Sequence, residues 1–133
     1  MRLRLGRPDI GRYADRFTLP AADRSAPLSV TWLGVSTLLV DDGTSALLTD
    51  GFFSRPGMLS TGLLPLRSAP SRIDDALANA GIGRVEAVLP VHTHYDHALD
   101  SAAVALRTDA VLVGGESAAN IARGHGLPED RIV

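Results

Sequence analysis

Residues 85–100 read VEAVLPVHTHYDHALD and contain the pattern that decides the fold, an apolar run followed at once by polar side chains. The run at residues 85–91 has the length and composition of a buried strand. Three of the chain's four histidines lie within the next six residues. The alanine-rich stretch at residues 98–106 then predicts a helix with Asp100 as its N-cap. We therefore expect a strand, a polar loop and a helix, in that order.

Short apolar segments elsewhere predict the other strands. Residues 28–33, 35–40 and 46–49 are closely spaced and rich in leucine and β-branched residues, which is typical of an antiparallel meander. Two more strands are expected at residues 110–113 and 131–133.

Helical patterns separate the later strands. Residues 71–80 have one apolar face, Ser71 and Asp74 form a capping-box pattern, and Gly81 ends the segment. A further helix is predicted at residues 116–123, whereas residues 51–71, rich in proline and glycine, predict a long loop. The order of elements indicates an α/β (α+β) fold.

Composition narrows the possible chemistry. The 133 residues are 45% apolar and 21% charged, with a net charge of -2, as in an ordinary globular domain. The absence of cysteine excludes disulfides and thiolate ligands, so a metal ion must be held by His, Asp or Glu. All 13 basic residues are arginine, which excludes a Schiff-base or P-loop lysine. We expect no transmembrane segment and no secretory signal, and therefore a cytoplasmic protein.

Residues 1–27 form a predicted arginine-rich arm ahead of the domain at residues 28–133. Six arginines occur in its first 24 residues, which favours contact with an anionic partner such as a nucleic acid. The arginines alternate with Asp9, Asp15 and Asp23, however, so the net charge of residues 1–24 is only +3. The pattern is more typical of a solvated arm than of a nucleic-acid interface.

The histidine cluster has the spacing of a metal site. On an extended segment, His92 and His94 would lie on one side with Cα atoms about 6.6 Å apart, so that both could bind one ion. Asp96 and His97 would then offer an oxygen and a nitrogen to a second ion. The alternative is a set of surface histidines at a loop, but four ligand types within six positions favour metal binding. His125, between two glycines, is interpreted as a loop residue.

The motif His92-x-His94-x-Asp96-His97 resembles the metal-binding signature of the metallo-β-lactamase superfamily. Three further stretches resemble its branch that contains ascorbate-6-phosphate lactonase and N-acyl-phosphatidylethanolamine phospholipase D. They are TWLGVST at residues 31–37, LLTDG at 47–51 and HYDHALD at 94–100. The resemblance covers residues 28–133 and implies the N-terminal half of an αββα sandwich, a mixed sheet with helices on one face.

The resemblance also implies a set of ligands and a cofactor. His92 and His94 would bind one divalent ion, and Asp96 and His97 a second. Asp50 would hold a ligand from behind through a hydrogen bond, although a turn aspartate before glycine is an equally good interpretation of this residue. Two zinc ions are expected, and manganese, iron or nickel would fit similar ligands.

The implied activity is metal-dependent hydrolysis. A hydroxide activated by the ions and oriented by Asp96 would attack an ester, lactone or phosphodiester in a small-molecule or lipid-like substrate, with residues 52–66 selecting it. The family's second half supplies further ligands that do not occur in residues 1–133, so we expect this chain to be inactive alone. The alternative is a non-catalytic remnant, or a subunit that oligomerises or pairs with a separate chain through an exposed sheet face.

Overall fold

Five strands form one mixed sheet in the computed structural model, which describes residues 27–133. The strands lie in sequence order across the sheet; β1, β2 and β3 pair antiparallel, and β4 and β5 continue parallel to β3. Their bounds are β1 Ser29–Gly34, β2 Thr37–Asp41, β3 Ala46–Thr49, β4 Ala87–Leu89 and β5 Val111–Leu112. The predicted arm at residues 1–27 lies outside the described residues, except for Pro27.

Within residues 27–133, five α-helices and one 3-10 helix accompany the sheet. They are α1 Met58–Leu63, α2 Pro70–Asn79, α3 Tyr95–Ala98, α4 Ser101–Thr108 and α5 Glu116–Gly124, and the 3-10 helix is Glu129–Arg131. The predicted α/β (α+β) class with a mixed sheet is confirmed. No helix among residues 27–133 is both long and apolar enough to cross a membrane.

The core lies between one face of the sheet and helices α2, α4 and α5. Leu48, Val88 and Leu112 are neighbours across β3, β4 and β5, and all three are fully buried. Ile73 of α2 and Val104 of α4 pack into the same cluster. Successive side chains of a strand point to opposite faces of the sheet. Because these residues face the core, the residues between them point to the opposite face of the sheet.

The opposite face of the sheet is apolar and open. Val30, Trp32 and Leu47 lie on it and are 59%, 61% and 43% exposed. The register brings Val30 and Leu47 together through Val40, their common neighbour on β2.

The predicted loop at residues 51–71 contains a helix, α1, that the sequence pattern does not predict. Its turns are closed by backbone bonds from Thr61 N to Gly57 O (2.9 Å) and from Leu64 N to Ser60 O (3.1 Å). Leu59 and Leu63 lie one turn apart on this helix, but both are exposed, and six residues are too few to show a repeated helical period.

The start of α2 also differs from the prediction. The helix begins at Pro70 and its N-cap is Ala69, without a side-chain cap, so the predicted capping box of Ser71 and Asp74 is wrong. Proline is favoured in the first helical position because its missing N–H would have no helical partner there.

Some strands are shorter than the sequence predicted. The predicted strand at residues 85–91 is regular only over Ala87–Leu89, and the one at residues 110–113 only over Val111–Leu112. Of the strand predicted at residues 131–133, Arg131 lies in the 3-10 helix, and Ile132 makes a single parallel bridge to Leu112.

Candidate metal site at the carboxyl end of β4

The loop after β4 brings the histidines to the beginning of a helix. Residues 91–94 form bends, and His94 is the N-cap of α3 with an extended backbone. The first turn closes as His97 N and Ala98 N donate to His94 O at 3.0 and 2.9 Å. Asp96 and His97 therefore lie in the first turn of α3, one turn away from the bend that contains His92.

His92, Asp96 and His97 form a group that could hold a metal ion. One ligand atom from each lies within 4.8 Å of the other two, and His97 Nε2 is 3.8 Å from Asp96 Oδ2. The rings of His92 and His97 have centroids 3.9 Å apart. Ligand bonds of about 2.0–2.2 Å to one ion separate ligand atoms by roughly 3.4 Å in a tetrahedral site, so small side-chain rotations would complete the group.

The donor set fits a catalytic divalent ion. Two imidazole nitrogens and one carboxylate oxygen are a ligand set that zinc uses in sites that keep a fourth position open for water or substrate. The side chain of Asp96 is 45% exposed, so solvent can reach this group, whereas His97 is 15% exposed.

His94 lies outside this group. Its ring is inclined at 77° to that of His92, with centroids 4.6 Å apart. The sequence predicts His92 and His94 on an extended segment; the observed bends instead bring His92 beside His97. The observed grouping thus differs from the pairing of His92 with His94 that the resemblance implies.

Asp50 lies behind His97. It follows β3, is fully buried, and its Oδ2 is 2.8 Å from His97 Nδ1. Val91 N donates to its Oδ1 at 2.7 Å. A proton on Nδ1 that is donated to Asp50 leaves Nε2 without a proton, and Nε2 is the nitrogen closer to Asp96.

Ser36 is part of this arrangement and was missed from the sequence. Its hydroxyl donates to Asp50 Oδ2 and lies 3.0 Å from His97 Nδ1. The residue lies between β1 and β2, 61 positions before His97. A single serine in a strand connection gives no signal of such a contact.

The side chain of Asp100 makes different hydrogen bonds from those predicted. It occupies the N-cap position of α4, but its side chain makes no cap bond. The buried carboxylate instead accepts hydrogen bonds from Phe53 N (2.9 Å), Ser54 N (2.6 Å) and Ser54 Oγ (2.7 Å). A buried charge is costly without partners, and three donors from one segment satisfy it better than a single cap bond. The predicted N-cap position of Asp100 is therefore confirmed, although its side chain makes no cap bond.

An apolar cavity lies next to the loop of the metal-binding group. It has a volume of about 220 Å³ and is lined by Thr93, Tyr95, Ala98, Leu99, Ile121 and His125. His125 is the exposed C-cap of α5 and is not in the group formed by His92, Asp96 and His97.

No protein-family model matches the chain. The likeness to the metallo-β-lactamase superfamily therefore stays an interpretation of the sequence motifs.

Proposed function

We propose that this chain carries the metal-binding part of a metal-dependent hydrolase, with His92, Asp96 and His97 holding a divalent ion. The observation that supports the proposal is the convergence of these three side chains at a solvent-accessible sheet edge. An isolated histidine on the surface would not have two further ligand side chains beside it. The contact of His97 with buried Asp50 adds support, because such a partner is typical of histidines that bind metals.

Zinc is the proposed ion, because its catalytic sites use the same donor types. Manganese, iron and nickel accept similar ligands, so metal content must be measured. A two-ion form would additionally recruit His94, whose ring is next to that of His92. When bound, a divalent ion supplies Lewis acidity, which makes water more acidic and polarises an ester, lactone or phosphodiester.

The chain's own residues would orient the reactants. Asp50 keeps the proton on His97 Nδ1, so the ring holds one tautomer and one orientation. Asp96 is accessible enough to accept a hydrogen bond from the attacking water and so to orient it. The proposed substrates are small-molecule or lipid-like esters, lactones or phosphodiesters, and the segment at residues 52–66 would select among them.

Metal affinity provides the first test. Zinc is titrated into the chelator-treated 133-residue protein in competition with a chromophoric chelator. His97→Ala should weaken binding more than about 100-fold, because loss of a group that merely supports a ligand already costs 10–100-fold. His125→Ala is the matched control and should bind as the wild type does. Equal affinities of His97→Ala and the wild type would contradict the proposal.

Turnover is tested separately. Aryl carboxylic esters, a lactone and an aryl phosphodiester are incubated with the zinc-loaded protein. The expected result is zinc binding without turnover by this chain alone, as the sequence predicts for it. Hydrolysis that a chelator abolishes and added zinc restores would contradict that expectation and show that these residues are catalytic by themselves.

A second candidate function is a non-catalytic subunit that pairs with a separate chain. The uncovered sheet face with Val30, Trp32 and Leu47 supports it, because large apolar patches on monomers commonly mark interaction sites. Native mass and light scattering would show association that Trp32→Arg abolishes. Leu106→Arg, on exposed helix surface, is the control and should not change association. A wild-type monomer that stays in solution at high concentration would exclude self-association and weaken this candidate.

A further inference from the structure

A second cavity, which none of the histidines lines, lies between the segment before α1, the end of α1 and the start of α2. Its volume is about 340 Å³, within the lower range for small-ligand sites. Its walls include Ser54, Ser60, Leu64, Leu66, Arg67 and Arg72.

The charge of this cavity is positive. Two arginines line it, and among the described residues none of those that line it is acidic. Four other arginines in the described part of the chain pair with carboxylates; they are Arg84, Arg107, Arg123 and Arg131. Within residues 27–133, Arg67 and Arg72 have no such ion pair, so their charges are not neutralised there.

Hydrogen bonds to backbone carbonyls hold the guanidinium of Arg72 in the cavity wall. Arg72 Nη1 donates to Ser54 O at 2.6 Å and to Arg55 O at 3.3 Å. These contacts orient the group through one nitrogen, and the other two nitrogens of the planar fork keep N–H donors for an oxyanion. Arg67 is exposed and supplies the second positive charge.

The other wall is apolar. Leu64 is 63% exposed and lines the cavity together with Pro65 and Leu66. An inorganic anion would leave this surface in water, whereas an anion with an apolar substituent would cover it. The two walls therefore match the two ends of an amphiphilic anion.

We propose that this cavity binds an organic anion, with its phosphate group on Arg67 and Arg72 and its apolar part against Leu64 and Leu66. Phosphate is favoured over carboxylate because a monoester carries about -1.5 to -2 charges at neutral pH, which matches two guanidinium groups. The site does not require the metal ion of the proposed hydrolase, so either proposal can fail without the other.

The test uses the 133-residue protein in the presence of a chelator, which removes the metal site as a source of phosphate binding. Hexyl phosphate is titrated by calorimetry, and inorganic phosphate and hexanoate are compared with it. Hexyl phosphate should bind saturably and more tightly than either comparison ligand. Absence of saturable binding up to about 10 mM hexyl phosphate would overturn the proposal.

Variants locate the site. Arg67→Gln should weaken hexyl phosphate binding at least about 10-fold, the expected effect of losing one charged hydrogen-bonding partner. Leu64→Ser should weaken hexyl phosphate but leave inorganic phosphate unchanged. Arg84→Gln is the control and should bind as the wild type does. Arg67 is chosen over Arg72 because Arg72 also holds backbone carbonyls. Equal binding by Arg67→Gln and the wild type would overturn the proposal.

Vesicles identify the source of the anion. Co-sedimentation with vesicles that contain phosphatidic acid, lost in Arg67→Gln, would support the proposal with a lipid headgroup as ligand. Binding of hexyl phosphate without vesicle binding would support it with a soluble phosphate ester as ligand.

Discussion

Asp50 Oδ2 lies 2.8 Å from His97 Nδ1 and joins the end of β3 to the first turn of α3. The carboxylate is fully buried and is also held by Ser36 and by Val91 N. Its backbone carbonyl accepts a bond from Ser101 Oγ at 2.5 Å. Four contacts from separate segments therefore fix the position of Asp50, and through it the orientation of the His97 ring.

Replacing Asp50 with asparagine should weaken zinc binding about 10–100-fold, the range found when a hydrogen-bonding partner of a metal ligand is lost. The side chain keeps its size, but its charge is removed, and its single oxygen cannot accept all the observed bonds. The measurement is zinc affinity by chelator competition. Asp109→Asn is the control, because Asp109 is exposed and its positive φ of 58° suits asparagine. Unchanged affinity in Asp50→Asn would favour the alternative interpretation of Asp50 as a turn residue.

Asp100→Ala should destabilise the protein by about 3 kcal/mol. The substitution leaves Phe53 N and Ser54 N buried without their acceptor, and such unsatisfied groups cost about 1–3 kcal/mol each. Urea unfolding measures the change in free energy. Asp75→Ala, on the exposed side of α2, should change stability by less than about 0.5 kcal/mol. Equal stability of the two variants would show that the Asp100 contacts contribute nothing.

Val35→Gly should stabilise the protein by about 1 kcal/mol, although it removes an apolar side chain. Val35 has a φ of +53°, a region that β-branched residues rarely occupy at a cost of about 1–3 kcal/mol. The side chain is 52% exposed, so little packing is lost, and the greater freedom of glycine in the unfolded chain offsets part of the gain.

Thermal and urea unfolding measure the effect of this change. Val30→Gly is the comparison, because Val30 is similarly exposed but lies in a regular strand; there glycine should destabilise by about 0.5–1 kcal/mol. A loss of stability in Val35→Gly would show that glycine at this position relieves no backbone strain.

Asp42 should titrate below the ordinary aspartate value of 3.8, because backbone N–H groups of Ser45 and Thr44 donate to its carboxylate and lower its pKa. A pKa that is lower in the folded chain stabilises the fold above pH 3.8, and the contribution disappears as the pH falls through the lowered value. Carbon-detected NMR of the side chain measures the midpoint. In urea the midpoint should return to the ordinary value; the same midpoint in both conditions would contradict the turn geometry.

Much of the architecture could be predicted because it is encoded locally. The leucine-rich and β-branched segments of β1 to β3 and the alanine-rich stretch of α4 are recognisable from composition, and the single apolar face of α2 reflects contact with a core on one side. α1 could not be predicted, because it is only six residues long and Leu59 and Leu63, its two leucines of helical spacing, are too few to establish a period.

The sequence by itself determined the fold class and the position of the histidines directly after a strand. Tertiary structure alone decided which side chains meet: Asp50 reaches His97 across 47 positions, and Ser54 reaches Asp100 across 46. The same packing set His92 beside His97 and left His94 outside the group. The physical reason is that periodicity depends on neighbours a few residues apart, whereas such contacts depend on how β3, α3 and α4 pack together.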